Sequence, residues 1–200
     1  MLYFFFYNKG GVISVNKKFN LYYIKEEYIE YLRKFDSRVA YNKNQTRPYV
    51  GIVCIYKGQK YFVPMSSPKE KHLKLNPNLA DIYKIDNGKL GILNINNMIP
   101  ATMSVIEKID FSKQEKSYAK LLSEQLLFLN NNREELLFKI SKFFVLYDKN
   151  KLYKNIRART CDFYLLEIKC KEWERTHNNC IKEDNDVYNV NNNDYRVFPY

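Results

Sequence analysis

The chain is poor in the residues that build fibres, metal centres and exported scaffolds. Only 6 of its 200 residues are glycine and 6 are proline, which excludes a collagen-like or glycine-rich fibre. Its four cysteines include no C-x-x-C pair, and there are only two histidines, so the sequence predicts no zinc site. We therefore expect reduced thiols, a cytoplasmic location, and neither a metal ion nor another cofactor.

Long apolar runs are also missing. The most apolar stretch, residues 2–7, is far shorter than the roughly 20 residues of a membrane-spanning helix. It has neither the basic segment nor the small-residue cleavage site of a signal peptide. One membrane alternative stays open at low weight: a peripheral protein that uses residues 2–7 together with a basic face.

Positive charge and aromatic rings are abundant. Lys and Arg number 33 against 22 Asp and Glu, for a net charge of +11, and 16% of the residues are aromatic. This excess favours a polyanionic partner, either nucleic acid or an anionic membrane surface. An AT-rich genome would produce a similar Lys-, Asn- and Tyr-rich composition, so composition alone does not choose between these explanations.

The charge is unevenly distributed along the chain. Residues 1–18 carry +3 and resemble an N-terminal extension, whereas residues 176–200 carry −2 and are rich in Asn. The composition of this tail buries too little apolar area to offset the chain entropy, so we expect it to be flexible. Residues 19–175 therefore hold +10 and form the predicted globular domain.

Hydrophobic periodicity predicts an α+β fold in which strands precede helices. Asp162 is placed to cap the last predicted helix. The predicted strands are 19–24, 49–56, 60–65, 81–85, 91–95 and 99–106, and the predicted helices are 25–35, a segment from 116, 134–146 and 163–173.

A short polar segment at the end of a buried strand is the best candidate for chemistry. Ser66, Ser67 and Lys69 surround Pro68. Their hydroxyl groups can donate hydrogen bonds to a phosphate, and the ammonium group offsets its charge. His72 follows three residues later and could transfer protons. Taken alone, the segment is better explained as a polar turn, and His72 equally well as a surface histidine.

Several other residues are of the types that bind single-stranded RNA, where cations pair with phosphates and aromatic rings stack on bases. Each is also explained without function, as a solvated loop, a core tyrosine or a charged connector. These candidate RNA-binding residues are Tyr22, Tyr41, Lys43, Arg47, Arg157 and Arg159.

The order of these segments resembles that of the ToxN/AbiQ family, the endoribonuclease toxins of type III toxin–antitoxin systems. Ser66 to Lys69 match the family's [ST]-S-P-K motif. The remaining matches cover residues 19–173 in order: 19–36, YVGIV at 49–53, KYFVP at 60–64, LGILNINNMIP at 90–100, 118–128, and TCDF at 160–163 with LLE at 165–167. Each piece is common, but seven in this order are not.

This resemblance implies a fold and an activity. Members are similar to the MazF/Kid/CcdB toxins, with a strongly twisted, partly closed antiparallel sheet and packed helices. They cleave RNA without a metal ion at preferred short sequences and leave a 2′,3′-cyclic phosphate. A small pseudoknot RNA, which the toxin cuts from a repeat precursor, is their antitoxin, and some members form closed protein–RNA rings. Many act in abortive infection against phage.

The resemblance also assigns residues. Ser66, Ser67 and Lys69 fall on the active-site motif, Arg47 falls where a relative has a lysine, and Tyr22 falls on a tyrosine near the groove. RNA cleavage by its own 2′-OH needs charge neutralisation, for which Lys69 and Arg47 are suited, and a base, for which a tyrosine, His72 or Lys69 remains open. The alternative function is an RNA-binding protein without catalysis.

Overall fold

The computed structural model describes residues 12–13, 18–56 and 58–178. Most of the predicted N-terminal extension, and the predicted tail after residue 178, lie outside these ranges. The two lengths therefore stay predictions.

An eight-stranded antiparallel sheet forms the centre of the fold, with strand order β5-β6-β4-β3-β2-β8, while β1 also pairs with β3 and β7 with β4. The sheet ends at β5 and β8 and is not closed, and the predicted α+β class is confirmed. The strands are β1 Val12–Ile13, β2 Asn20–Ile24, β3 Tyr49–Tyr56, β4 Gln59–Ser66, β5 Ile82–Lys84, β6 Ile92–Asn94, β7 Ile99–Pro100 and β8 Ile106–Lys108.

β3 and β4 are a hairpin of apolar, β-branched and aromatic residues, which suits a strand buried on both faces. Gly58 in the connecting turn has φ +79, a conformation that glycine adopts without steric cost. On its other side the last part of β4 pairs with β6, with Met65 opposite Leu93 and Ser66 opposite Ile92. The polar segment after Ser66 thus leaves from the interior of the sheet rather than from its edge.

Four longer helices and two short ones complete the described part of the chain. They are α1 Glu26–Phe35, α2 Glu70–Lys74, α3 Lys116–Asn131, α4 Arg133–Asp148, α5 Lys154–Ala158 and α6 Phe163–Asn178. None of the helices in the described ranges has the length and apolar character needed to cross a membrane.

Aromatic side chains tie the helices to the sheet. Tyr28 of α1 meets Trp173 of α6 edge to face, with ring centroids 5.3 Å apart. The hydroxyl of Tyr61 on β4 donates to Glu167 of α6 at 2.8 Å inside the core. Because a buried carboxylate without a partner is costly, this hydrogen bond fixes α6 over the sheet.

The structure differs from the predicted elements in three places. The single strand predicted at 99–106 is two short strands, β7 and β8, separated by a 3-10 turn at Met103–Val105. The last helix continues to Asn178, past the predicted end at 173. The short helices α2 and α5 were not predicted, whereas the Asp162 cap is confirmed, since its carboxylate accepts the Leu165 N–H at 3.2 Å.

Candidate active site

The polar segment begins where β4 ends. Ser66 is half-buried, whereas Ser67 and Lys69 are exposed, and α2 starts directly after Lys69. The Nδ2 of Asn94, on β6, donates to the Ser66 Oγ at 3.0 Å. Because Ser66 accepts this hydrogen bond, its own hydroxyl proton is free to donate to a ligand.

Gly91 lets the β6 segment approach this corner closely. A Cβ at position 91 would lie 2.2 Å from the Ser66 carbonyl oxygen, and the residue has φ +103. Both the contact and the backbone conformation require glycine. The main chain of the motif is therefore held between its own strand and the loop before β6.

Arg47 reaches the same corner from the loop before β3. Its Nη1 donates to the carbonyl oxygen of Met65, the residue before Ser66, at 3.0 Å, and its Nε donates to the Tyr41 carbonyl oxygen at 2.5 Å. These two bonds fix the plane of the guanidinium group. Its third nitrogen, Nη2, makes no hydrogen bond with the described residues, so it can donate to an anion.

Lys69 supplies a second cation. Its side chain is exposed, and within the described ranges its ammonium group has neither an ion-pair nor a hydrogen-bond partner. Lys69 and Arg47 are thus two positive charges at the end of β4, beside the hydroxyl groups of Ser66 and Ser67. Such a set of donors is suited to a phosphate group.

His72 lies inside the protein, on α2. Its residue is 2% exposed, and its Nδ1 has no hydrogen-bond partner within the described ranges. Burial, reinforced by the charges of Lys71 and Lys69, lowers its pKa. The imidazole is therefore neutral at pH 7, and the surface position that the sequence left open for it is wrong.

The other candidates near the loop and the first strand differ in exposure. Tyr22 is half-buried on β2, with its ring edge-on to Phe62 at 5.6 Å, and burial raises the pKa of its hydroxyl. Tyr41 is 70% exposed, and the Arg33 guanidinium lies 3.5 Å from its ring centroid. Lys43 is exposed, with φ 56, in the same loop.

The basic stretch before α6 separates into two directions. Arg157 lies over the Tyr147 ring of α4, 4.2 Å from its centroid. Arg159 instead forms an ion pair with the buried Asp81 at 2.7 Å, and Asp81 directly precedes β5. The structure thus joins Arg159 to the β5–β6 side of the sheet, where Asn94 contacts Ser66.

Sequence reasoning assigned no role to Asn94 or Gly91. Both lie in the segment 90–100 that was matched to the family, so the motif itself was the available signal. No group of three or more His, Cys, Asp or Glu side chains within the described ranges is placed to hold a metal ion.

Comparison with known proteins agrees with this fold and this corner. A hydroxyl-and-cation site at the end of a central strand in an antiparallel α+β sheet is suited to acting on a phosphodiester. Residues 20–171 match the family model described as toxin ToxN of the type III toxin–antitoxin system. The chain belongs to this family.

Two curated relatives support the match along most of their length. An endoribonuclease ToxN of Bacillus thuringiensis subsp. kurstaki is 33% identical over 168 residues, which cover 80% of this chain and 85% of the relative. An endoribonuclease AbiQ of Lactococcus lactis subsp. lactis is 30% identical over 182 residues, covering 82% and 92%.

Solved structures show the same fold. A type III toxin described as selectively inhibited by a non-coding RNA pseudoknot superposes with a TM-score of 0.68 at 32% identity, covering 79% of this chain and 99% of its own. The structure of AbiQ, described as a lactococcal anti-phage endoribonuclease, gives a TM-score of 0.67 at 27% identity, covering 80% and 99%.

Proposed function

We propose that this protein is the endoribonuclease toxin of a type III toxin–antitoxin system and cleaves RNA at the corner formed by Ser66, Ser67, Lys69 and Arg47. Its family and its relatives, which are named endoribonucleases, support the activity. The observation that carries the site is the hydrogen bond from Arg47 to Met65, because it brings a second cation to the serine–lysine motif.

The reaction needs no nucleophile from the protein. The ribose 2′-OH attacks the adjacent phosphorus, and the bond from phosphorus to the 5′-oxygen of the next nucleotide breaks. A base removes the 2′-proton, and an acid returns a proton to the leaving oxygen. The products are a 2′,3′-cyclic phosphate and a free 5′-hydroxyl, and no metal ion is required for this balance.

The side chains of the corner stabilise the pentacovalent transition state. Charge develops on the non-bridging oxygens, where the Lys69 ammonium and the free Nη2 of Arg47 donate. Ser66, whose oxygen is already engaged by Asn94, donates its proton to the same group. Donors held in place before the reaction cost no reorganisation when the charge appears.

His72 is better suited to the role of base than Tyr22 is. Its lowered pKa leaves it neutral at pH 7, the form that accepts a proton. The raised pKa of Tyr22 keeps its hydroxyl protonated. Because the His72 ring is buried, the proton would reach it through Lys69 or through a movement of α2.

The inhibitor is proposed to be a small pseudoknot RNA that the toxin cuts from a repeat precursor, with which it assembles into a protein–RNA complex. The structural relative described as inhibited by an RNA pseudoknot supports this partner, and so does the +10 charge of residues 19–175. Defence against phage by abortive infection would follow when the RNA is lost. Target RNA and antitoxin place the protein in the cytoplasm.

Incubation of the purified protein with a long unstructured RNA in EDTA tests the activity. We expect cleavage, with 3′ ends that can be extended only after the cyclic phosphate has been removed. Lys69→Ala should abolish cleavage and growth arrest, while Lys74→Ala, an exposed lysine at the end of α2, should retain both.

Two results would contradict the proposal. Normal cleavage by Lys69→Ala would remove the assigned site. RNA binding by the wild-type protein without any cleavage would favour the alternative, an RNA-binding protein that is not an enzyme.

A further inference from the structure

A cavity of about 450 Å³ lies beside the corner, on the β5–β6 side of the sheet. Asn94 belongs to both places, since it lines the cavity and its Nδ2 holds the Ser66 hydroxyl. The volume falls within the range of small-molecule sites, which is roughly 300–1,000 Å³. A group bound in this cavity would therefore be next to the proposed cleavage site.

The charges of the cavity cancel. Arg38 and Arg159 both line it. The Nε and Nη2 of Arg38 donate to the buried Asp36 at 2.8 and 3.1 Å, and Arg159 pairs with the buried Asp81 at 2.7 Å. Each guanidinium is thus neutralised by its own carboxylate, which suits an uncharged ligand better than a phosphate.

The polar groups of the cavity are mainly acceptors. Asn96 and Asn97 donate their Nδ2 groups to the carbonyl oxygens of Arg159 and Arg38, each at 2.8 Å. A carbonyl can only accept, so the orientation of both amides is determined by these partners. Their Oδ1 atoms accept no hydrogen bond from the described residues.

Asp81 adds a further acceptor. It is 1% exposed and lines the cavity, and its Oδ1 has no partner within the described ranges. A buried acceptor that lacks a donor is destabilising. A ligand that brought an N–H group to Asp81, after a small movement of the half-exposed Arg159 side chain, would remove this cost.

Apolar side chains form the rest of the lining. Leu75, Leu79 and Ile82 provide flat aliphatic contacts, which fit the face of an aromatic ring. An acceptor-rich edge combined with an apolar face is the complement of a nucleobase that carries an exocyclic amino group. Adenine, cytosine and guanine have such a group, and uracil does not.

We propose that this cavity binds one base of the RNA substrate next to the cleavage site and selects a base with an exocyclic amino group. The proposal rests on the proposed endoribonuclease function. It makes the Asn94–Asn97 segment and Asp81 determinants of sequence preference, separate from the cation and hydroxyl groups that act on the phosphate.

Sequencing of the ends produced from a randomised RNA pool tests the preference. At one position near the cut we expect uridine to be disfavoured by about tenfold. If adenosine is preferred there, replacing it by purine riboside, which lacks the amino group, should lower kcat/KM by a similar factor.

Leu79→Trp, which fills the cavity from a half-exposed position, should remove the preference at that position alone. Leu127→Trp, at an exposed leucine on α3, is the matched control and should retain it. If Leu79→Trp lowers the melting temperature, Asn97→Ala replaces it, with the same expected loss. Equal use of uridine at every position, or an unchanged preference in the cavity variants, would overturn the proposal.

A wild-type protein that cleaves nothing would refute the proposed function instead. The cavity is then decided by titration with nucleoside monophosphates. Binding of AMP, CMP or GMP over UMP that is lost in Leu79→Trp supports the cavity assignment, and equal or absent binding refutes it.

Discussion

The guanidinium group of Arg47 is bonded to the carbonyl oxygen of Met65, at 3.0 Å, although the two residues are 18 positions apart. The backbone N–H of Met65 in turn donates to the Pro48 carbonyl oxygen at 2.9 Å. The loop before β3 and the end of β4 therefore hold each other, and the Arg47 charge has a fixed position relative to Ser66.

Replacing Arg47 by alanine should lower kcat by about 10²–10³, the effect of removing one preorganised donor from a transition-state oxyanion. Arg47→Lys should recover only part of this loss, because an ammonium group cannot reproduce a planar guanidinium that bonds two carbonyl groups while a third nitrogen donates. Single-turnover cleavage of a short RNA measures the rates.

Arg175→Ala is the control for Arg47, since this arginine is exposed on α6. It should leave kcat unchanged. A rate for Arg47→Ala within a factor of two of the wild-type rate would show that the second cation takes no part in the reaction.

Gly91→Ala should disturb the motif through the backbone. The new Cβ would lie 2.2 Å from the Ser66 carbonyl oxygen, and the φ of +103 is unfavourable for alanine. We expect a decrease of about 1–3 kcal/mol in the free energy of unfolding, together with slower cleavage. Urea unfolding and the cleavage rate measure the two effects.

Gly58→Ala separates the two causes. Gly58 also has a positive φ, +79, but a Cβ there would meet nothing within 4 Å. It should lose some stability and keep its activity. Equal losses of activity in both variants would mean that the close approach to Ser66 has no importance for the site.

His72 should make stability depend on pH. Its pKa is lowered in the folded protein by burial and by Lys71 and Lys69, whereas an unfolded histidine has a pKa of about 6.5. Below that value the unfolded chain binds a proton that the folded chain does not. The free energy of unfolding should therefore be fully retained above pH 6.5 and fall as the pH decreases toward 5, by at most about 1.4 kcal/mol per unit.

Urea unfolding from pH 8 to pH 5 measures this slope. His72→Gln should flatten it, while His177→Gln, at the exposed histidine that stacks on Trp173, should leave it intact. A slope that persists in His72→Gln would assign the pH dependence to other groups.

Local pattern was sufficient for several elements. The strand Tyr49–Tyr56 was predicted with its full bounds, and the helix Glu26–Phe35 within one residue of its start. Continuous β-branched residues and helical spacing of apolar residues are strong local signals. The helix α2 has no such pattern, because His72 is its only buried residue, and it was missed.

Long-range pairing explains the remaining differences. Residues 99–108 are rich in β-branched residues, but β7 pairs with β4 and β8 with β2, so the chain must turn between them. The motif of Ser66 to Lys69 was found from sequence. The contact of Arg47 with Met65, the burial of His72 and the cavity around Asn94 depend on the tertiary fold, which short sequence patterns do not encode.

The position of α6 has a consequence for synthesis of the protein. Glu167 and Trp173 come late in the chain, yet they complete contacts with Tyr61 on β4 and Tyr28 on α1. A nascent chain that has not yet released this helix from the ribosome leaves the strand that carries Ser66 without part of its core. Folding into an active nuclease is thereby postponed until translation is nearly finished, which keeps the protein from cutting its own message while that message is being read.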